Sequence, residues 1–418
     1  MAVAPAGQAH QGHELGLTRE QITRGFTLLA ICSFCMTLAL NTFESISPNF
    51  YRDSLEMNGA LNGYLIAIRE VPGFLLIFVA AIMLRKGLAT ATAISLVVAG
   101  TGWILFSVTT EFAHVVLPVL IASVGYHSWL QLQNALGLSI ARSGEEGAML
   151  GRLQGIGYLG GAIALVAVLG VLWGSELLSN GDHQDSILRF FWILTGGSAI
   201  VGAVAIWRFP ESASGREASR LAPRFTWRRE YKLYYILATL DGSRMQIYFA
   251  FAPFVLVEKF DVPARGLLVV LLIGALIKWV LGTTIGRLVD SHGEKRILNI
   301  AYCLHLVLFL GFAFAPNVWF AYAAYLGYNF MFLFSIGTTT YIKKICRPGD
   351  LAPSLAMGVS LAHVTAIVVP VFGAALWETL GYRFPFLFGT VFILLSLYFT
   401  QKIDVEAQRL REPVAGGV

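Results

Sequence analysis

Charge is what this 418-residue chain has least of: 13% of its residues are Asp, Glu, Lys or Arg, about half the share of a soluble domain. Hydrophobic residues make up 56%, so the surface they leave suits lipid better than water. Cysteine is scarce as well. The four present, Cys32, Cys35, Cys303 and Cys346, fall inside or at the ends of apolar runs, which excludes a disulfide framework. No His-x-x-x-His or Cys-rich cluster occurs and no nucleophile stands beside a base, so neither a metal site, a cofactor nor an enzyme embedded in the membrane is expected. Asn-x-Ser/Thr sequons are absent, and the polar stretch 1 to 23 lacks the apolar core of a signal peptide. The amino terminus is therefore expected to stay on the side where it was made, and the bacterial inner (plasma) membrane is the expected home.

What is abundant is long apolar runs. There are twelve, split six and six around a basic polar bridge, and each approaches the roughly 20 helical residues that cross a bilayer. Inside lipid the backbone must satisfy its own hydrogen bonds, so helices are predicted rather than a barrel, whose strands would be half as long and alternating. The predicted fold is an all-α integral membrane protein with twelve transmembrane helices in two pseudo-symmetric six-helix bundles. Residues 1–23 form an N-terminal tail, 24–207 the first bundle, 208–230 a linker, 231–402 the second bundle and 403–418 a C-terminal tail. Spans two, seven and eight are drawn at 59–84, 231–257 and 264–287.

Lysine and arginine are distributed unevenly. Of the 30, 22 fall on the side of the termini and the linker, 5 on the other (Arg52, Arg189, Lys259, Arg265 and Arg383), and 3 within spans (Arg69, Arg244 and Lys278). Positive residues are retained in the cytoplasm, so both termini and the linker are predicted to be cytoplasmic. The same bias accounts for the net charge of +5 without a nucleic-acid partner.

The loop after the eighth span reads Gly286-Arg287-Leu288-Val289-Asp290-Ser291-His292-Gly293-Glu294-Lys295-Arg296. Glycine permits a tight turn at position 293, and Asp290 can accept hydrogen bonds from a neighbouring helix end or pair with an arginine. This string resembles the motif of the major facilitator superfamily, Gly-x-x-x-Asp-x-x-Gly-x-basic-basic. The resemblance implies a cytoplasmic gate built by Gly286, Asp290, Gly293, Lys295 and Arg296, and two parallel six-helix repeats. Placing Gly87 over Gly293 aligns Leu84 with Asp290, so the first-half copy keeps the basic pair Arg85 and Lys86 and has lost the acid. In the fifth span, Gly155, Gly157, Gly160 and Gly161 resemble the glycine-rich run of exporters in that superfamily without its proline. They point to tight helix packing between the halves.

Ionisable groups at membrane depth are costly and mark solute or ion routes. On the first span Ser33, Thr37, Asn41, Glu44 and Pro48 recur every three or four residues, one helix face that is expected to line a cavity. The fourth span carries His127, Gln131 and Asn134, with His127 near mid-bilayer and suited either to proton handling or to a structural hydrogen bond. On the seventh, Asp241 and Arg244 are spaced i, i+3 and can pair with each other, or Arg244 can hold a solute anion while Asp241 takes a proton. Stepping back 200 positions sets Asn41 against Asp241 and Glu44 against Arg244. The resemblance adds that the first, fourth, seventh and tenth spans surround the central site.

Arg69 and Glu70 lie on the second span before Pro72 and Gly73 and, as sequence neighbours, point about 100° apart, which sends them to different partners. Lys278, Asn329 and His363 complete the set, with Tyr325 and Tyr328 read as packing and His305 as structural. The resulting expectation is a secondary active transporter, symporter or antiporter, working by alternating access. It would move a small anionic or zwitterionic solute with protons, as a monomer in contact with membrane lipid. The alternatives are a proton-driven exporter of amphipathic or cationic compounds bound by Glu44, Glu70 and Asp241, and, in a different class, a sensor or enzyme on a transporter fold.

Overall fold

A computed structural model describes residues 18–74, 87–141, 146–179, 183–210, 227–347 and 350–405. Every regular element among them is helical. Thirteen α-helices run α1 (Arg19–Asn49), α2 (Gly59–Phe74), α3 (Leu88–Phe106), α4 (Phe112–Ile140), α5 (Glu146–Ser179), α6 (Gln184–Ile206), α7 (Lys232–Glu258), α8 (Ala264–His292), α9 (Glu294–Ala313), α10 (Val318–Met331), α11 (Ile336–Ile345), α12 (Leu351–Leu380) and α13 (Arg383–Thr400). Among the described residues nine membrane spans are long and apolar enough by themselves, including Val318–Ile345, which joins α10 and α11 through a 3-10 turn at Phe332–Ser335. Predicted spans seven and eight are the helices α7 and α8. Span two is α2 as far as Phe74, and the rest of it lies outside the described residues, as do Leu84, Arg85, Lys86, most of the linker and much of both tails.

Local sequence sets the breaks. Pro48 lacks the N–H that would close the turn onto Glu44, and the α-helix gives way two residues later to a π turn over Phe50–Ser54. Asn317 starts α10 with its side-chain oxygen accepting from the backbone N–H of Trp319 and Phe320 at 3.1 and 3.2 Å. Gly87 and Gly293 precede α3 and α9 with nearly the same backbone, φ 85°, ψ 154° and φ 76°, ψ 154°. That region is open only to glycine. The two glycines aligned as repeats therefore share one backbone conformation.

The chain divides into two compact units. The first holds residues up to Ile46 and the segment from Leu75 to Ala222. Its α3 packs on α4 and α6, where Phe106 and Trp192 stack with ring centroids 4.4 Å apart beside Phe43. Thr37 and Asn41 of α1 lie over Gly157 and Gly161 of α5, and Ser33 donates to the Leu153 carbonyl at 3.2 Å. The glycine run thus makes a tight contact inside this unit, between α1 and α5, because only a missing side chain lets the α1 amide approach.

The second unit holds 47–74 and the chain from Pro223 onward. Its α12 packs on α2 and α7, and α13 on α9. Residues 47–74, which hydropathy alone draws with the first half, are tied into it by polar contacts. Asn49 donates to the Val262 carbonyl, Asn62 to the Ala250 carbonyl, and Gly59 N–H to Glu258, while Arg52 pairs with Asp261.

Candidate functional site

Asp241 and Arg244 stand one turn apart on α7, and Arg244 Nη2 donates to Asp241 Oδ1 at 2.8 Å. The pair is not alone. Tyr302 on α9 donates its hydroxyl to the same Oδ1 at 2.9 Å, and Thr338 on α11 donates to Oδ2 at 2.8 Å. Three helices thus converge on one carboxylate. The Arg244 guanidinium lies 4.7 Å above the Tyr302 ring, is only 4% exposed, and among the described residues finds no acceptor for Nε or Nη1. Leaving two donors of a buried cation unmade is expensive in a low-dielectric setting.

Further aromatic rings pack between α7, α9 and α10. Tyr248 of α7 stacks on Tyr328 of α10 at 3.7 Å, donates its hydroxyl to the Tyr325 carbonyl at 2.9 Å, and receives Asn329 Nδ2 at 2.5 Å. Asn329 also faces Gly274 of α8. His305 is buried edge-on to Tyr328, its Nδ1 2.8 Å from the Ala301 carbonyl, which can only accept, so that nitrogen carries the hydrogen.

A second cluster joins α2 to α12. Arg69 Nε and Nη2 donate to Glu70 Oε1 at 3.2 and 2.9 Å, and His363 Nδ1 lies 3.4 Å from Glu70 Oε2. The long guanidinium arm folds back onto its neighbour, so the 100° between adjacent positions does not separate them. Glu70 is buried, while Arg69 and His363 are half-buried. The two clusters ride on helices in direct contact: a side chain on Gly242, beside Asp241, would press on Ala362 and Thr365, which flank His363.

Asn41 donates to the Thr37 carbonyl at 2.9 Å, and Glu44 is exposed on α1. His127 is buried on α4 with Nδ1 2.9 Å from Ser123 Oγ and 3.0 Å from the Ser123 carbonyl. Gly286 lies within α8, and the side chains of Gln131, Lys278 and Asp290 lie outside the described residues. At the gate motif, Lys295 Nζ donates to the Gln401 carbonyl at 2.7 Å, Arg296 is exposed, and buried Glu294 meets Lys344 at 2.6 Å.

Sequence reasoning missed Tyr302 and Thr338. The first sits three residues ahead of His305, a residue read above as structural, and the second opens the run Thr338-Thr339-Thr340. Two polar-tipped residues on one turn of an apolar helix, and three hydroxyls in a row at membrane depth, were the available signals.

Residues 29–347 match the family model described as Major Facilitator Superfamily. No curated protein matches the sequence. Among solved structures, a mutant of the nucleoside transporter NupG aligns with a TM-score of 0.73 at 15% identity over 90% of this chain and 99% of its own. A bacterial homologue of the human lysosomal transporter Spinster, inward-facing and occupied, aligns at 0.69 and 12% over 94% and 99%. The xylose transporter XylE from E. coli, in a partially occluded inward-open conformation, aligns at 0.67 and 12% over 92% and 98%. Likeness at such identities is one of fold.

Proposed function

Since this chain belongs to the major facilitator superfamily and is a transporter rather than an enzyme, we propose that it moves a small anionic or zwitterionic solute by alternating access, coupled to protons. The observation that carries the reading is the Arg244 guanidinium, buried with two donors that no described residue accepts. Tyr302 and Thr338 hold Asp241 to one side of the cation. A carboxylate or phosphate oxygen reaching Nε or Nη1 would complete its hydrogen bonds.

Charge balance links the anion to a proton. Asp241 and Arg244 together are neutral, so an entering anion leaves the cluster at net −1, and a proton taken up with it restores neutrality before the charge crosses lipid. Asp241 and the Glu70–His363 pair are the residues we assign to that proton, with His127 on α4 as a further carrier. The lysine and arginine bias would put both termini in the cytoplasm, and the absence of Asn-x-Ser/Thr sequons supports a bacterial inner membrane as the home.

The test is uptake by proteoliposomes under an imposed pH gradient, using labelled carboxylates and phosphates. Arg244→Ala should abolish uptake and Arg244→Lys should leave a fraction. A transported solute indifferent to the gradient would remove proton coupling. Transport of organic cations that survives Arg244→Ala and is lost in Glu44→Gln or Asp241→Asn would instead establish the exporter.

A further inference from the structure

Away from the polar clusters, one groove gathers cations at the edge of the second unit. It has a volume of about 920 Å³ and is lined by His292, Lys295, Arg296, Asn299, Gln401 and Lys402, where the start of α9 meets the end of α13. The two ends are fastened: Lys295 Nζ donates to the Gln401 carbonyl, and Gln401 Nε2 to Asn299 Oδ1 at 2.6 Å. Glu294, also in the lining, is paired with Lys344. Three permanent cations, Lys295, Arg296 and Lys402, therefore face a single remaining acid in the lining, Asp404, for a net of +2.

The groove also terminates two apolar stripes. On α9 the exposed residues Ile300, Leu304 and Val307 share a face, and Arg296 lies one turn before Ile300 on it. On α13 the exposed Val391, Leu394 and Tyr398 share a face, and Lys402 lies one turn beyond Tyr398. The Lys402 ammonium sits 4.4 Å from the Tyr398 ring centroid and 5.1 Å from that of Phe399, an aromatic platform of the kind found at the bilayer interface. Two greasy tracks that end together in a cationic notch match the shape and polarity of a phospholipid with a negative headgroup.

We propose that this groove binds an anionic phospholipid, its phosphate held by Lys295, Arg296 and Lys402 and its acyl chains lying along α9 and α13. The assignment needs nothing from the solute or proton reading, and it gives Lys295 and Arg296 a ligand of their own.

The experiment uses the full chain, reconstituted with equal phosphatidylglycerol and phosphatidylcholine and then read by native mass spectrometry for retained lipid. The wild type should retain phosphatidylglycerol over phosphatidylcholine. Each cation near such a surface is worth about 1 kcal/mol, so Arg296→Gln or Lys402→Gln should each weaken retention about fivefold, and Lys295→Gln/Arg296→Gln/Lys402→Gln about a hundredfold. Lys402→Arg should keep it. Equal retention by wild type and variants, or of the two lipids, would overturn the proposal. Competition by glycerol 3-phosphate as effective as that of the lipid would also overturn it, by marking a soluble phosphate site. Should the triple variant not fold, the two single substitutions decide the matter.

Discussion

Tyr302 on α9 touches both members of the Asp241–Arg244 pair at once: its hydroxyl donates to Asp241 Oδ1 at 2.9 Å and its ring lies 4.7 Å beneath the Arg244 guanidinium. The edge serves the anion and the face serves the cation. Tyr302→Phe removes only the hydrogen bond and should cost about 1 kcal/mol of stability. Tyr302→Leu removes the face as well and should cost about 1–2 kcal/mol more. Thermal unfolding in detergent orders the two, and equal losses would contradict the double contact.

Asp241→Ala strands Arg244 with no anion in a site where it is 4% exposed. The expected loss is about 3–5 kcal/mol, while the double variant Asp241→Ala/Arg244→Met should recover most of it by removing the stranded charge. Denaturant unfolding of the single and double variants checks the sign of the coupling. A double variant no more stable than the single would show that the loss does not come from a stranded charge.

In the first unit, α3 and α4 meet through glycines on both sides. A side chain on Gly102 would strike the backbone of Ala122, and one on Gly125 the backbone at Ser95 and Ala99. Neither neighbour can rotate away, so Gly102→Ala and Gly125→Ala should each cost about 1–3 kcal/mol. Gly155→Ala on α5 meets nothing within 4 Å and serves as the control, expected to be neutral or stabilising. Melting temperatures of the three variants would settle the comparison.

Gly293 has open space around it and a φ of 76°, so its requirement is conformational alone. Gly293→Ala should cost about 1–2 kcal/mol without any clash. Asparagine, the usual substitute at positive φ, should give no relief, because ψ at 154° lies outside the left-handed helical well. If Gly293→Asn proved as stable as wild type, the loop would have to adopt another backbone.

Hydropathy made the helical class and most spans legible, because lipid leaves the backbone so few solutions. The pairing of Asp241 with Arg244 was legible too, since i, i+3 geometry is local. What the sequence withheld was longer-range. Nothing in the spacing of α7 announces Tyr302, 61 residues on, or Thr338, 97 residues on. Arg69 misled for a different reason: helix geometry fixes where a Cβ points, and a guanidinium on a four-bond arm can turn back to Glu70. The packing of residues 47–74 with α7 and α12 rests on glycines and backbone carbonyls, as where Gly63 admits Phe251 and Ala374, which carry no periodic signature.

The 3-10 turn at Phe332–Ser335 makes the tenth span a screw with two threads. A 3-10 residue advances about 2.0 Å and turns about 120°, against about 1.5 Å and 100° in an α-helix. Rewinding four such residues would draw α11 inward by about 2 Å and swing it by about 80°. Thr338 lies on the part that swings, so its hydroxyl would leave Asp241 Oδ2 as the pitch changed. A quarter-turn of one backbone segment would then release a carboxylate by moving α11 alone.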